Sequence, residues 1–183
     1  LLPPHVCSQA EQVSRVLGNF RRLDNALEKY IFLTSLHDRN EALFFRILME
    51  HPDVEEAATL LGASRLYRTP AWGRTDQPDF INAVAAIETA LAPRALLDAL
   101  LAIERSRGRV RDFPNAPRTL DLDVLLYGQA RMDSPRLTLP HPRMWGRAFV
   151  VYPLADLAPE LLTPAHWASV AGQSIEAVSE LVP

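Results

Sequence analysis

The chain has 183 residues, of which 48% are hydrophobic and 22% are charged, a composition typical of a globular protein and not of a disordered or fibrous one. Its net charge of −3 provides no overall positive field for nucleic acid or an anionic membrane, so we expect neither as a partner. No run of about 18 apolar residues and no signal-peptide pattern occurs. Because Cys7 is the only cysteine and cannot form an internal disulfide, we expect a cytoplasmic location.

The chain changes character near residue 53. Before it, residues 12–51 are predicted to be helical, because apolar residues recur at helical spacing: Val13, Val16, Leu17 and Phe20, then Leu43, Phe44, Ile47 and Leu48. After it, patterns typical of strands and helices alternate, which indicates a mixed α and β fold. The predicted elements are strands at 64–69, 80–89 and 119–127, a helix from Pro93 to Gly108, a short apolar run at 148–152, and a helical stretch at 175–181.

The strand at 119–127 carries the most informative pattern. Side chains alternate between the two faces of a strand, so Asp121 and Asp123 share one face, roughly 7 Å apart along the strand. The other face is predicted to carry Leu120, Leu122, Val124 and Leu126. Paired carboxylates at this spacing suit Mg²⁺ that is shared with substrate phosphates. By itself the alternation is equally typical of an amphipathic strand with one hydrated face.

Basic and hydrogen-bonding residues surround this strand on both sides. They precede it at Arg109, Arg111 and Arg118 and follow it at Arg136, Thr138, His141 and Arg147. Guanidinium groups bind phosphate oxygens in a bidentate manner, so an acidic pair among arginines favours phosphoryl transfer. Each arginine taken singly is more typical of a solvated surface charge, and His141 between two prolines is more typical of a loop histidine.

Four motifs occur in a fixed order: Leu-Tyr-Arg-Thr-Pro at 66–70, Asp-Gln-Pro-Asp-Phe-Ile-Asn at 76–82, Pro-Arg-Thr-Leu-Asp-Leu-Asp at 117–123, and Pro-His-Pro-Arg-Met at 140–144 followed by Arg-Ala-Phe at 147–149. In this order and spacing they resemble the 6-hydroxymethyl-7,8-dihydropterin pyrophosphokinase family over about residues 55–183. The resemblance implies an α/β fold of the α+β type, with a ferredoxin-like antiparallel sheet and packed helices. It also implies transfer of pyrophosphate from ATP to a reduced pterin in folate synthesis.

The same resemblance implies the roles of individual residues. Asp121 and Asp123 are expected to hold two Mg²⁺ ions. The pterin pocket is expected to comprise Thr69, Pro70, Phe80, Asn82 and Phe149. ATP contacts are expected from Glu104, Arg118, Arg136, Thr138, His141 and Arg147. Arg109 and Arg111 match the arginines of a mobile loop that closes on the phosphates, and together with Arg118 they are the expected catalytic residues. No protein nucleophile is expected, so catalysis would rest on positioning and charge neutralisation.

The first part of the chain carries a different pattern, above all Leu-Glu-Lys-Tyr-Ile-Phe-Leu-Thr-Ser-Leu-His-Asp-Arg-Asn-Glu-Ala-Leu-Phe-Phe-Arg at 27–46. Over about residues 1–52 it resembles the N-terminal helical segment of malic enzymes. The metal-ligand and dinucleotide-binding segments of malic enzymes are absent, so hydride transfer is excluded. We therefore predict a mainly helical segment at 1–52 and a pyrophosphokinase-like domain at 53–183, with 30–52 as a possible first strand and helix of that domain.

Residues 30–36 have two interpretations at this stage. Their spacing matches the first strand of the pyrophosphokinases, although Thr-Ser-Leu at 34–36 replaces the family's Gly-Ser-Asn turn; their helical surroundings favour helix, as in malic enzymes. Three functions follow: an active pyrophosphokinase, an impaired protein that binds ATP or pterin, and a helical oligomerisation module with a passenger domain. The sequence assigns no oligomeric state.

Overall fold

The computed structural model describes residues 28–35, 54, 57–70, 79–107 and 120–178. Its main feature is an antiparallel sheet of six strands, in the order β5-β1-β4-β3-β8, with β2 also paired to β4. The strands are β1 (Glu28–Ser35), β2 (Ala58–Ala63), β3 (Tyr67–Thr69), β4 (Phe80–Thr89), β5 (Leu120–Tyr127) and β8 (Glu176–Ala177). Strands β6 (Met132–Asp133) and β7 (Thr138–Leu139) form a separate hairpin.

Strand β1 lies in the middle of this sheet. It pairs with β4 from Glu28 to Ser35 and with β5 from Lys29 to Ser35. The strand interpretation of 30–36 therefore holds over 30–35, and the helix predicted for 12–51 is wrong over 28–35; the other residues of both predictions lie outside the described ranges. Tyr-Ile-Phe-Leu-Thr at 30–34 is rich in residue types that favour strands, and neighbours on both sides pair its backbone groups.

A helix covers each face of the sheet. Helix α1 (Pro93–Ser106) packs through Leu96, Leu100 and Ile103 onto odd-numbered residues of β4 and onto Leu120, Leu122 and Val124 of β5. Helix α2 (Ala148–Leu157) packs through Val150 and Leu154 onto the opposite alternation, which includes Val84, Ala86 and Leu125. The sheet is therefore buried on both faces, and the predicted strand 80–89, the helix from Pro93 and the strand near 119–127 are confirmed.

Other predicted elements need correction. The strand predicted at 64–69 is shorter, since only Tyr67–Thr69 is strand, and β2 before it was not predicted. Ser64 lies between β2 and β3. Its Oγ accepts a hydrogen bond of 2.9 Å from Val84 N–H, so at this point a side chain and not a backbone carbonyl pairs with β4.

The C-terminal region also differs from its prediction. The prediction of a helix at 175–181 is wrong over Glu176–Ala177. These two residues form strand β8, which pairs with the edge of β3. The helical residues lie earlier, in α2 and in α3 (Pro164–Val170), and two 3₁₀ helices occur at Met144–Gly146 and Pro159–Leu161. A short segment such as Glu176–Ala177 becomes a strand because the unpaired edge of β3 is next to it. The local periodicity of the sequence does not predict such pairing.

Within the ranges described above, no helix is both long and apolar enough to cross a membrane.

Candidate active site

The two carboxylates lie on β5 as the alternation predicts. Leu120, Leu122 and Val124 are buried in the core beneath α1, whereas Asp121 and Asp123 are half-buried on the opposite face, which α2 covers further along the sheet. Both side chains have further interactions within the protein. The pattern that makes this strand amphipathic thus presents the carboxylates together on one surface.

Glu104 fixes the strand that carries these carboxylates. It is 1% exposed, near the end of α1, and its Oε1 accepts a hydrogen bond of 2.8 Å from Leu122 N–H. Leu122 lies between the two aspartates on β5, whose outer edge has no neighbouring strand in the described sheet. Glu104 therefore supports the edge of β5; its predicted ATP contact stays a prediction.

Three of the residues predicted for the pterin pocket are adjacent on β3 and β4. Thr69 pairs with Phe80, and the buried amide of Asn82 lies next to them on the same face. The Nδ2 of Asn82 is 3.0 Å from Thr69 Oγ1, 3.2 Å from Tyr67 O and 3.3 Å from Phe80 O. These contacts fix the orientation of the amide. Pro70 follows Thr69 and is exposed.

The amide and the carboxylates lie at the same level of the sheet. Thr34 of β1 pairs with Asn82 on one side and with Asp121 on the other. Two strand spacings separate the backbones of Asn82 and Asp121, a distance of roughly 10 Å. Groups at this separation can contact two ligands that lie side by side, one at the amide and a phosphorylated one at the carboxylates.

His141 follows the β6–β7 hairpin and is tied to β5, since its N–H donates to Leu125 O at 2.9 Å. Burial, then the charges of Arg147 and Arg143, lower the pKa of His141 to about 4, against an opposing effect of Asp121. Its Nδ1 accepts a 3.3 Å hydrogen bond from Arg143 N–H, so the neutral ring carries its proton on Nε2. His141 is thus a neutral hydrogen-bond donor at pH 7.

Arg147 and Phe149 stand at the start of α2, on the same side of the sheet as Asp121. The Arg147 guanidinium carbon lies 5.5 Å from the centre of the Phe149 ring. Its charge acts on His141, as does that of Asp121, so these three ionisable groups share one electrostatic neighbourhood. Both Arg147 and Phe149 are half-buried.

Two further predicted ATP contacts belong to the segment of the β6–β7 hairpin. Arg136 is on the hairpin and is paired with Asp98 of α1 through a 2.6 Å contact, both side chains being mostly exposed. Thr138 is on β7, where its Oγ1 is 3.4 Å from Asp133 Oδ1. The predicted ATP contacts of both residues stay predictions. The predicted loop residues Arg109, Arg111 and Arg118 lie outside the described ranges.

The donor set can be compared with what a metal ion needs. Among the described residues, no group of three or more His, Cys, Asp or Glu side chains could enclose a metal. Asp121 and Asp123 do supply two carboxylates on one face, and Mg²⁺ commonly uses one or two carboxylates together with phosphate oxygens and water. The residues therefore fit Mg²⁺ that arrives with a phosphorylated ligand.

One residue that sequence reasoning missed is Gln173, whose side chain contacts the backbone on both sides of Arg147. A single glutamine after a helix has no pattern that distinguishes it from a surface residue. Only the packing of the C-terminal turn against α2 identifies it.

Comparison with known proteins agrees with this geometry. A family model described as 7,8-dihydro-6-hydroxymethylpterin-pyrophosphokinase matches residues 35–159. A 2-amino-4-hydroxy-6-hydroxymethyldihydropteridine pyrophosphokinase of Pseudomonas aeruginosa is 58% identical over 105 residues, which is 57% of this chain and 65% of that protein. A protein of the same name from Methylorubrum extorquens is 42% identical over 136 residues, 74% of this chain and 82% of the relative.

A third relative, the mitochondrial folate synthesis bifunctional protein of Arabidopsis thaliana, is 46% identical over 111 residues, 59% of this chain and 20% of that protein. The match therefore spans slightly less than two thirds of the Pseudomonas relative and a fifth of the plant protein. The family model includes residues 35–52, within the segment that resembles malic enzymes, a resemblance that stays a prediction. Motifs, sheet register and relatives agree, and the chain belongs to the 7,8-dihydro-6-hydroxymethylpterin-pyrophosphokinase family.

Proposed function

We propose that this protein transfers the pyrophosphoryl group of ATP to the hydroxymethyl group of 6-hydroxymethyl-7,8-dihydropterin, with Mg²⁺ bound at Asp121 and Asp123. The observation that carries the proposal is the register Asn82–Thr34–Asp121, which sets a buried amide and a carboxylate pair at one level of the sheet. An amide suits the polar edge of a pterin, and the carboxylates suit metal-bound phosphates.

The proposed pterin pocket uses Thr69, Pro70, Phe80, Asn82 and Phe149. The buried amide of Asn82 and the flat apolar surfaces of Phe80 and Phe149 match a planar heterocycle with a polar edge. On the nucleotide side, Arg147 offers a guanidinium and His141 a neutral N–H donor. We also retain Glu104, Arg136 and Thr138 as proposed ATP contacts, and Arg109, Arg111 and Arg118 as proposed phosphate contacts.

In the proposed reaction the hydroxymethyl oxygen forms a bond to the β-phosphorus of ATP. The bond between the β-phosphorus and the oxygen bridging to the α-phosphate breaks, AMP leaves with that electron pair, and the hydroxyl proton is released. His141 is a poor acceptor for this proton because its pKa is lowered to about 4, so we assign it hydrogen-bond donation to the nucleotide. The contribution of the chain is orientation and neutralisation of charge.

Mg²⁺ bound here would supply positive charge that neutralises the phosphates of ATP. The residues that would hold it are Asp121 and Asp123, whose backbone is fixed from the outer edge of β5 by Glu104. We propose that this carboxylate pair would hold two ions together with the phosphates of ATP. The proposed setting is the cytoplasm, where ATP is available and a lone cysteine remains reduced.

The direct test is formation of AMP from ATP by the purified chain, with and without 6-hydroxymethyl-7,8-dihydropterin and with Mg²⁺ or EDTA. We expect AMP only when ATP, the pterin and Mg²⁺ are all present. Formation of AMP at the same rate with and without the pterin would refute the proposal.

The alternatives that the sequence leaves open have distinct outcomes in the same assay. A ligand-binding protein would bind ATP or the pterin without forming AMP. A helical module with a passenger would bind neither, and removal of residues 1–52 would change only its oligomeric state. The position of β1 within the sheet weighs against that second alternative, because a boundary at 52/53 would separate β1 from its partners β4 and β5.

A further inference from the structure

The side chain of Gln173 joins the two peptide groups that flank Arg147. Its Nε2 donates a hydrogen bond of 3.0 Å to Gly146 O, and its Oε1 accepts one of 2.9 Å from Ala148 N–H. A primary amide carries a donor and an acceptor on adjacent atoms, and here both are engaged, one on each side of a single residue. This geometry constrains where the main chain of Arg147 can lie.

Gln173 is itself held in place by the turn that ends α3. Its N–H donates to Val170 O at 3.1 Å, and Gly172 has a φ of +85°, a conformation that favours glycine. Ser169 adds a second link from α3, with its Oγ 2.6 Å from Trp145 O. The amide is therefore presented from a fixed backbone.

Arg147 is fixed from its other side by α2. Its carbonyl accepts hydrogen bonds from Val150 N–H and Val151 N–H at 3.0 and 2.9 Å, and its own backbone is extended, with φ of −122° and ψ of 114°. With both flanking peptides held by Gln173, the Cα of Arg147 has little freedom. The direction in which its guanidinium leaves the backbone, over the Phe149 ring, follows from this constraint.

We propose that Gln173 is a positioning residue for nucleotide binding: it orients Arg147, and with it the start of α2, toward the phosphates. The inference rests on the proposed function, because it takes Arg147 as a nucleotide contact. It adds a residue from outside the four motifs and from beyond the 35–159 segment that the family model matches.

The chemistry requires the amide specifically. Gln173→Met keeps the length of the side chain but removes both hydrogen bonds. Gln173→Glu keeps the acceptor for Ala148 N–H and places a carboxylate oxygen against Gly146 O, so one contact becomes repulsive. A role in packing alone would tolerate methionine.

The test measures Mg-ATP affinity by calorimetry for the full chain and for Gln173→Met, alone and combined with Arg147→Ala. We expect the methionine variant to bind Mg-ATP about tenfold more weakly, as loss of two ordinary hydrogen bonds and of the orientation they impose would predict. In the Arg147→Ala background the same substitution should have less than a twofold effect, because the group it orients is gone. Mg-ATP binding should be weakened by Gln173→Glu at least as much as by Gln173→Met.

A control variant separates orientation from simple loosening of α3. Ser169→Ala removes one side-chain link from α3 to the 3₁₀ helix at Met144–Gly146 without touching the peptides that flank Arg147, and it leaves the stacking of His166 on Trp145 in place. We expect it to lower the melting temperature while Mg-ATP affinity stays within about twofold of the unmodified chain. Gln173→Met should in addition accelerate hydrogen exchange of the Ala148 amide, a readout that needs no ligand.

The outcomes distinguish this inference from the proposed function. Unchanged Mg-ATP affinity in folded Gln173→Met, or an equal loss in the Arg147→Ala background, would overturn the role of Gln173 alone. An unmodified chain that binds Mg-ATP but forms no AMP would refute the proposed reaction and leave the positioning role to be judged by the same affinities. An unmodified chain without affinity for Mg-ATP would overturn both.

Discussion

Burial and the guanidinium groups of Arg147 and Arg143 lower the pKa of His141 to about 4. In the unfolded chain the same ring titrates near pH 6.5. Above that pH the ring is neutral in both states. As the pH falls below 6.5, the unfolded state takes up a proton that the folded state takes up only near pH 4, so stability is lost across this window.

A His141→Gln variant removes this linkage, because glutamine does not titrate. We expect the free energy of unfolding of the unmodified chain, relative to the variant, to fall by about 2 kcal/mol between pH 7 and pH 4.5. Urea denaturation at several pH values measures the difference, and the other four histidines cancel in the comparison. Parallel pH profiles for the two proteins would show that His141 is not held neutral by its surroundings.

Asp121 and Asp123 test the proposed chemistry most directly. The double substitution Asp121→Asn with Asp123→Asn keeps the shape of both side chains and removes their charge. We expect AMP formation to fall at least about a hundredfold, since charge neutralisation at the phosphates is the main contribution assigned to the protein. Glu160→Gln, at an exposed carboxylate of the second 3₁₀ helix, serves as the control and should retain full turnover. Similar turnover in the double variant and the control would rule out the metal assignment.

Asn82 has two roles to separate, since its amide both joins β3 to β4 and is proposed to pair with the pterin. We expect Asn82→Ala to weaken pterin binding by about 1–3 kcal/mol, one to two decades in affinity, and to affect Mg-ATP much less. Thr89→Val is the matched control: Thr89 is buried on β4 and hydrogen-bonds Ala57 O, away from the site. Thr89→Val should lower the free energy of unfolding without a selective loss of pterin affinity. If Asn82→Ala weakens the binding of pterin and of Mg-ATP equally, the role of Asn82 is structural.

At the scale of elements, a polar cluster of Arg65, Tyr67 and Asp156 joins β3 to α2. Asp156 of α2 accepts hydrogen bonds from Arg65 and from the Tyr67 hydroxyl, at 2.7 and 3.0 Å. Burial first, and then Asp156, raise the pKa of Tyr67 to about 12. Because the Arg65 side chain is 66% exposed, its ion pair contributes little by itself, and the buried tyrosine hydroxyl accounts for most of the stabilisation.

Asp156→Ala should therefore lower the free energy of unfolding by about 1–3 kcal/mol, the cost of leaving a buried hydroxyl without its acceptor. In a Tyr67→Phe background, which has no hydroxyl, the same change should cost under about 1 kcal/mol. Chemical denaturation of the four proteins completes this double-mutant cycle. Equal costs in both backgrounds would mean that Asp156 acts through Arg65 and not through Tyr67.

For the molecule as a whole, the central position of β1 makes a clear prediction about truncation. A chain of residues 28–183 keeps β1, and we expect it to retain a cooperative unfolding transition and Mg-ATP binding. A chain of residues 53–183 lacks the strand between β4 and β5, which exposes two unpaired edges, and should aggregate or fail to fold. Melting temperature and calorimetry test both chains; a stable, fully binding 53–183 fragment would show that β1 is dispensable.

The predicted division at 52/53 follows from two resemblances and not from packing. Within the described residues, Glu28–Ser35 forms one sheet with strands on the far side of that boundary. The prediction that residues 1–52 form a malic-enzyme-like helical segment falls mostly outside the described ranges. The two truncations therefore also locate the boundary: retained binding in 28–183 would place it before β1.

Several features could be predicted from the sequence because they depend on local periodicity or on distinct motifs. The period of two at 120–124 specified which side chains share a face of β5, and the structure has Asp121 and Asp123 opposite the buried Leu120, Leu122 and Val124. The alternation fails at Leu126, which packs with Leu125 on the α2 side, next to an irregularity in the pairing with β1. The apolar spacing after Pro93 likewise predicted α1 and its buried face. The ordered motifs indicated the family. Such features lie within one element, so the sequence alone determines them.

Other features were decided only by tertiary structure, because they depend on which neighbours an element finds. The same residues at 30–35 suit helix or strand, and the unpaired edges of β4 and β5 select the strand. The edge of β3 makes Glu176–Ala177 a strand in place of the predicted helix. The contacts of Glu104 with Leu122 and of Gln173 with the peptides around Arg147 join residues 18 to 27 positions apart. Buried or unpaired backbone groups must find hydrogen-bond partners, and only the folded chain determines which side chains are within reach.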